Sequence, residues 1–184
     1  LNVGSGSHAA QTAAIMCGFE PVLVNENPDW VVVFGDVNST LACSIVAKKL
    51  NYPVAHVEAG LRSGDMSMPE EINRIVTDSI SDYFFVTEPS GLRNLEVENK
   101  DSQKVHHVGH VMIDNLLFEV ARLEREGVGQ DTAALKPINT AYGVVTLHRP
   151  SNVDHAATLK GILEALGGIS ERLPLIFPIH PRTT

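Results

Sequence analysis

Apolar residues along this chain come in two spacings. Short unbroken runs such as WVVVF (30–34), PVAHV (53–57, broken only by a histidine) and YFFV (83–86) alternate with longer stretches in which apolar residues return every three or four positions. That alternation predicts parallel strands covered by helices, and the chain is read as α/β.

The elements follow from the pattern. Ser7 is placed to cap a helix reaching about Val24, which Pro21 is expected to bend or shorten, and Asn27-Pro28-Asp29 then turns the chain. A strand ends at Asp36, and Asn38, Ser39 and Thr40 offer caps for the helix LACSIVAKKL, whose Lys48 and Lys49 suit the negative end of the dipole. VAHVE is the next strand. After a charged loop, PEEINRIVTDSIS reads as a helix with Pro69 in its first turn and Glu70 and Glu71 near the positive end. The strand YFFVT, a short helix from Ser90, the strand VHHVG and the helix IDNLLFEVARLERE finish a layered unit near Gly127.

Residues 127–142, GVGQDTAALKPINTAY, have linker composition. Beyond them come a strand YGVVTLHR, a helix from about Asp154 to Arg172 and a strand LPLIFPIH. The division is drawn as two domains, 1–135 and 136–184, with opening strands expected to be missing from the first and the second expected to be truncated. Two strands and one helix cannot cover both faces of a parallel sheet, so the apolar faces of VVTL and LIFPI are expected to be exposed.

Composition narrows the classes. With 184 residues and 43% hydrophobic content the chain can bury a sizeable core, and no apolar run approaches the roughly 18 residues that span a bilayer. A formal net charge of -8 argues against nucleic acid as a partner. Cys17 and Cys43 each sit in an apolar helical pattern and are expected to be small core residues in a reducing compartment. The start, LNVGSGSHAA, has no signal-peptide pattern, and a cytoplasmic location is expected.

Open α/β sheets bind ligands at the carboxyl ends of their strands. Asp36, Glu58 and the His148-Arg149 pair fall at such ends, and the loop before PEEINR adds Glu70. Each has an ordinary structural use too: Asp36 can cap a helix, Glu58 can pair with Arg62, and Glu70 can pair with Arg74 four residues on, worth about 0.2–0.5 kcal/mol. The combination points to chemistry. GSGSHA (4–9) fits the Gly-x-Gly-x-x-Gly/Ala dinucleotide pattern but lacks a preceding strand, so no nicotinamide or flavin cofactor is expected. In HHVGH, strand alternation sends His106 and His107 to opposite faces with no cysteine nearby, so no metal is expected either.

Seven segments in order, GSGSHAAQT, GDVNSTLA, PVAHVEAGLRS, MPEEINR, VGHVMID, TLHRPSNVD and FPIHPRT, carry a resemblance across nearly the whole chain. It resembles the UDP-N-acetylglucosamine 2-epimerase family, most of all its non-hydrolysing bacterial and archaeal members. The resemblance implies a GT-B-like fold of two Rossmann-like parallel-sheet domains, a homodimer, and UDP-N-acetylglucosamine and UDP as ligands, in the making of surface polysaccharide precursors. The implied chemistry is expulsion of UDP with removal of the C2 proton, then re-addition of UDP to an enzyme-bound 2-acetamidoglucal with protonation from the other face.

Carried over by motif, Asp36, Glu58 and Glu70 are the acid/base and charge-stabilising candidates, and His148 is the group for the diphosphate. Asp36, Glu58, His148 and Arg149 would contact substrate. Arg149 and His180 would line a second, activating substrate site whose Gln-bearing segment lies upstream of Leu1. The family's opening strand and the rest of its uridine-binding domain have no counterpart here, so residues 1–184 alone are expected to be inactive. Ala10 and His110 depart from the family pattern, where an acidic residue and Asn are common. A hydrolysing 2-epimerase, a GT-B glycosyltransferase and a non-catalytic nucleotide-sugar-binding module are the alternatives.

Overall fold

The computed structural model describes residues 1–4, 6–137, 140–179 and 183, with the side chain of Pro150 outside that set. The chain packs as two compact units, Leu1–Leu117 and Phe118–Thr184.

The first unit runs α1 (His8–Glu26), β1 (Val31–Phe34), α2 (Asn38–Lys49), β2 (Val54–Val57), α3 (Pro69–Ile80), β3 (Tyr83–Val86), α4 (Pro89–Val97), a short 3-10 turn (Ser102–Lys104) and β4 (Val105–His107). Its strands form one parallel sheet in the order β1-β2-β3-β4, with Val31 opposite Val54, Ala55 opposite Tyr83 and Phe84 opposite Val105. Neighbouring parallel strands need crossovers, and α2, α3 and α4 supply them.

Side-chain alternation then decides the layers. In β1, Val31 and Val33 are buried while Val32 and Phe34 are exposed, so one face meets the helices. Leu23 of α1 and Val46 and Ala47 of α2 pack with Val31, Val33 and Val54 in one core cluster; Phe84, Val86, Leu95 and Ala59 form another. At the sheet's far edge the His106 ring stacks on Tyr83 and Phe85, with centroids 5.9 and 5.7 Å away.

Four local expectations are corrected. α1 continues through Pro21 to Glu26, because the proline ring lies on the exposed side and costs the helix only local hydrogen bonding. Its end is set by Asn27, at φ 41°, whose N–H reaches the Leu23 carbonyl at 3.0 Å and whose side chain accepts from the Tyr52 hydroxyl at 2.9 Å. α2 starts at Asn38 with Val37 as its cap residue and no side-chain cap, because Asn38 is drawn into bonds with other helices and Thr40 donates to the Phe34 carbonyl. Cys17 is exposed and Cys43 half-buried: Ile15, Met16, Phe19 and Leu23 form the packed side of α1, and Cys17 points away from it.

α5 (Val111–Glu126) carries the chain onward, and Gly127, at φ 75°, closes it with an N–H to the Leu123 carbonyl at 2.8 Å. The second unit then has α6 (Gln130–Leu135), β5 (Gly143–Val144), α7 (Pro150–Val153), α8 (Ala156–Ser170) and β6 (Leu175–Ile176). The expected linker thus contains a helical turn, and the expected strands shrink to a two-residue parallel ladder, Gly143 opposite Leu175 and Val144 opposite Ile176. Pro174 and Pro178 flank β6, and neither can donate to a ladder. Among the described residues no helix is long and apolar enough to cross a membrane.

Candidate active site

In a parallel sheet all strands finish at the same edge, so the residues that follow β1 and β2 emerge side by side. Phe34 is paired with Val57, and the chain runs on from them into Gly35-Asp36 and Glu58-Ala59-Gly60.

α3 is fastened to that edge. Asn73 donates through Nδ2 to the Asp36 carbonyl at 2.8 Å and to Asn38 Oδ1 at 3.3 Å. Arg74 donates through Nη2 to the Asp36 carboxylate and through Nη1 to Glu71 Oε2 at 3.1 Å. The expected Glu70–Arg74 pair is therefore replaced by a fork from Arg74 to Asp36 and Glu71. Glu70 precedes Asn73 and Arg74 by three and four residues, the spacing that shares a helix face, so it sits on the side of α3 that meets Asp36.

The adjacent glutamates divide their work. Glu71 is buried and accepts the backbone N–H groups of Ser63 at 2.8 Å and Gly64 at 2.9 Å. Burial alone would raise its pKa, but those two N–H groups, the Ser63 hydroxyl and Arg74 outweigh it and lower the value from 4.5 to about 2. Glu71 is thus a fixed anion that shapes the 63–64 loop. Glu70 is half-buried, and its carboxylate makes no hydrogen bond or ion pair among the described residues.

Glu58 is likewise half-buried, and its carboxylate has no hydrogen-bonding or ionic partner among the described residues. Its backbone lies in the left-handed region at φ 70°, its N–H bonded to the Phe85 carbonyl at 3.0 Å. A Cβ on Gly35, itself at φ 65°, would come within 3.1 Å of Glu58 Oε2, so the carboxylate rests against the residue preceding Asp36. Arg62, the pairing expected for Glu58, is instead committed to Asp78 and Glu98, each at 2.8 Å.

Behind this edge lies a buried histidine–carboxylate contact. His56 Nδ1 meets Asp78 Oδ1 at 2.6 Å with both side chains fully buried, and His56 Nε2 meets the Gly35 carbonyl at 2.8 Å. The other Asp78 oxygen accepts from Gly60 N–H at 3.0 Å and from Arg62 Nη1 at 2.8 Å. Burial would raise the Asp78 pKa, but His56 and Arg62 more than offset that and hold it below the ordinary carboxylate value.

A cleft of about 430 Å³ opens beside Asn38 and Asn73, lined also by His8, Thr12, Met16 and Pro69. Asn38 donates to Gln11 Oε1 at 2.8 Å and lies 3.1 Å from His8 Nδ1, so the GSGSHAAQT segment borders this cleft.

In the second unit His148 and Arg149 are exposed in the segment after β5. His148 Nδ1 lies 3.4 Å from the Thr146 hydroxyl, and the Arg149 carbonyl accepts the N–H groups of Asn152 and Val153 at the start of α7. His180 falls outside the described residues. The first unit thus brings Asp36 and Glu58 to one edge, with Glu70 in the first turn of the helix that Asn73 and Arg74 fasten there. Sequence reasoning missed Glu71, Arg74 and the His56–Asp78 pair, although a histidine inside the apolar run VAHV was a visible signal of a buried polar contact.

The four-stranded parallel sheet and its likeness to solved structures define an α/β protein of the GT-B-like class, with the first unit supplying one Rossmann-like sheet. The family model described as UDP-N-acetylglucosamine 2-epimerase matches residues 1–184, and the chain belongs to that family. A UDP-N-acetylglucosamine 2-epimerase of Methanocaldococcus jannaschii is 44% identical over 100% of this chain and 50% of its own length. A UDP-2,3-diacetamido-2,3-dideoxy-D-glucuronate 2-epimerase of Pseudomonas aeruginosa is 40% identical over 100% of this chain and 51% of its own. The crystal structure of the M. jannaschii UDP-GlcNAc 2-epimerase in complex with UDP-GlcNAc and UDP superposes with a TM-score of 0.88 at 44% identity, over 100% of this chain and 51% of that one. The chain spans about half the length of these relatives.

Proposed function

We propose that this chain carries acid/base groups for reversible epimerisation at C2 of UDP-N-acetylglucosamine, giving UDP-N-acetylmannosamine by the non-hydrolysing route. The C2 proton has no adjacent carbonyl to acidify it, so direct deprotonation is a poor path. Loss of UDP from C1 as the C2 proton leaves gives 2-acetamidoglucal; UDP then returns to C1 while C2 is protonated on the opposite face.

The observation that carries this reading is a pair of carboxylates, Glu58 beside the Arg74-bound Asp36 and Glu70 in the first turn of the helix that carries Arg74, neither with a partner among the described residues. Inversion needs one group to take a proton and another to return one, and a carboxylate committed to an ion pair serves neither purpose well. Glu58 and Glu70 are the proton-transfer groups in this reading. Asp36, braced by Arg74, steadies positive charge developing at C1. His148 and Arg149 meet the diphosphate, and Arg149 with His180 would line a second substrate site. The domain boundary is placed at 135/136, in loop and linker sequence, because a boundary inside α5 would cut a continuous hydrogen-bonded helix. In this reading the protein works in the cytoplasm as a homodimer and supplies surface polysaccharide synthesis.

A second substrate is favoured by the P. aeruginosa relative, whose named activity is also a C2 epimerisation. The test is proton NMR of the full-length protein in deuterium oxide with UDP-N-acetylglucosamine, run in parallel with UDP-2,3-diacetamido-2,3-dideoxy-D-glucuronate. Deuterium entering C2 as the 2-epimer of the UDP-sugar accumulates is the expected result. Free N-acetylmannosamine with UDP would make the protein a hydrolysing enzyme, and an unchanged spectrum despite binding would overturn the epimerase reading.

A further inference from the structure

His56 occupies a position that an apolar side chain would fill. It faces the same side of the sheet as Val54, and its register partner on β1 is the buried Val33. Asp78, its partner, is fully buried on α3. Burying a carboxylate and an imidazole is expensive, and replacing such a polar pair with apolar residues of similar volume is often neutral or favourable for stability. Stability alone therefore gives little reason for the pair.

What the pair touches supplies a reason. Asp78 is held ionised, so the oxygen facing His56 Nδ1 is an acceptor, and a backbone carbonyl facing Nε2 can only accept. Each ring nitrogen thus faces an acceptor, and His56 is placed to tether in two directions. One direction ends on the Gly35 carbonyl, whose carbon forms the peptide bond to Asp36. The other ends on Asp78, whose second oxygen takes the N–H of Gly60, two residues beyond Glu58. Arg62 closes the ring of contacts on that same oxygen. Asp36 and Glu58 are thus attached directly to the segments that this one pair pins, and Glu58 holds a left-handed backbone that a glutamate does not adopt freely.

We infer that His56 and Asp78 are a positioning pair for the reaction, fixing the separation of the Asp36 and Glu58 carboxylates through the Gly35 carbonyl and the Gly60 N–H. This rests on the assignment of Asp36 and Glu58 to C2 epimerisation.

The test uses the full-length protein and the amides that copy each half of imidazole: Asn for Nδ1 and Gln for Nε2. His56→Asn keeps a donor toward Asp78 but withdraws the one on Gly35; His56→Gln keeps the donor on Gly35. Displacement of a catalytic group by about 1 Å costs up to about 100-fold in rate, so His56→Asn should lower kcat by about 10- to 100-fold with KM within about threefold. His56→Gln should return kcat to within about fivefold of the unsubstituted protein. If both variants melt earlier yet keep the original kcat per folded molecule, the pair is only structural and the inference is overturned. If the unsubstituted protein turns over neither UDP-sugar, the functional reading fails and this inference falls with it; turnover that His56→Asn leaves unchanged sinks the inference alone. Should the Asn variant not fold, nitrogen-15 NMR of the His56 ring in the unsubstituted protein decides. A protonated Nε2 is expected, and an unprotonated one would overturn the inference because the tether to the Gly35 carbonyl would then be absent.

Discussion

The Glu71 carboxylate accepts the backbone N–H of Gly64 at 2.9 Å while its other oxygen takes Ser63 N–H and Arg74, which makes one buried anion the clamp between the charged loop and α3. Its pKa is lowered from 4.5 to about 2, so the folded protein binds this proton less readily than the unfolded chain. The stability it contributes is complete above about pH 4.5 and is lost as the pH falls toward 2. A depression of that size corresponds to at most about 3 kcal/mol. Glu71→Gln should therefore be less stable than the parent by about 2–3 kcal/mol at neutral pH, with the gap closing below pH 4.5. Urea denaturation of both proteins at stepped pH checks this; a gap that stays constant down to pH 2 would contradict it.

Arg74 serves Asp36 and Glu71 at once, which a planar fork can do and a single ammonium cannot. Arg74→Lys should keep the charge but release one carboxylate and, on the proposed function, lower kcat for UDP-sugar epimerisation by the full-length protein by about 10- to 100-fold. Steady-state kinetics beside a melting curve separates this from unfolding. Unchanged kcat would show that Asp36 needs no such brace.

Gly60 stands where the loop after β2 passes under α4. It lies at φ 79°, and a Cβ there would come 2.4 Å from the Gly91 carbonyl oxygen. Its own carbonyl accepts from Asn94 Nδ2 at 2.8 Å, so the backbone is held from both sides and cannot step away. Gly60→Ala should cost about 3 kcal/mol or more, read as a shift in the urea midpoint.

Pro21 sits inside α1 on its exposed side, where it removes one helical hydrogen bond without contributing core packing. Pro21→Ala restores the bond, and the greater freedom of the unfolded chain offsets only part of the gain. A net stabilisation of about 1–2 kcal/mol is expected by thermal denaturation. A lower melting temperature would mean that the proline is needed where it stands.

Much of the first unit was legible because its signals are local. The apolar runs at 31–34, 54–57 and 83–86 and the helical spacing between them fix β1 to β3 and their crossovers. The same three carboxylates were visible as strand-edge and loop residues. That Arg74 goes to Asp36 and Glu71 rather than Glu70, and Arg62 to Asp78 and Glu98 rather than Glu58, was not. Glu70 and Glu71 are neighbours of the same type, and only the turn of the helix, about 100° per residue, sends one into the loop amides and leaves the other on the Asp36 side. Asn38 read as a cap because its type favours caps, yet contacts from α1 and α3, far off in sequence, claimed its side chain. The strands of the second unit shortened for a similar reason: ladder length is a property of two segments, and prolines at 174 and 178 bound one of them.

The left-handed backbone of Glu58 separates two kinds of selection. A screen of all substitutions at this position, scored only by the amount of folded protein, should rank Gly and Asn above Glu, because the fold gains nothing from a long side chain there. Scored by turnover of the nucleotide sugar, the same library should return Glu at the top. The two rankings would cross at this residue, and a protein designer working for durability alone would erase the proposed activity first here.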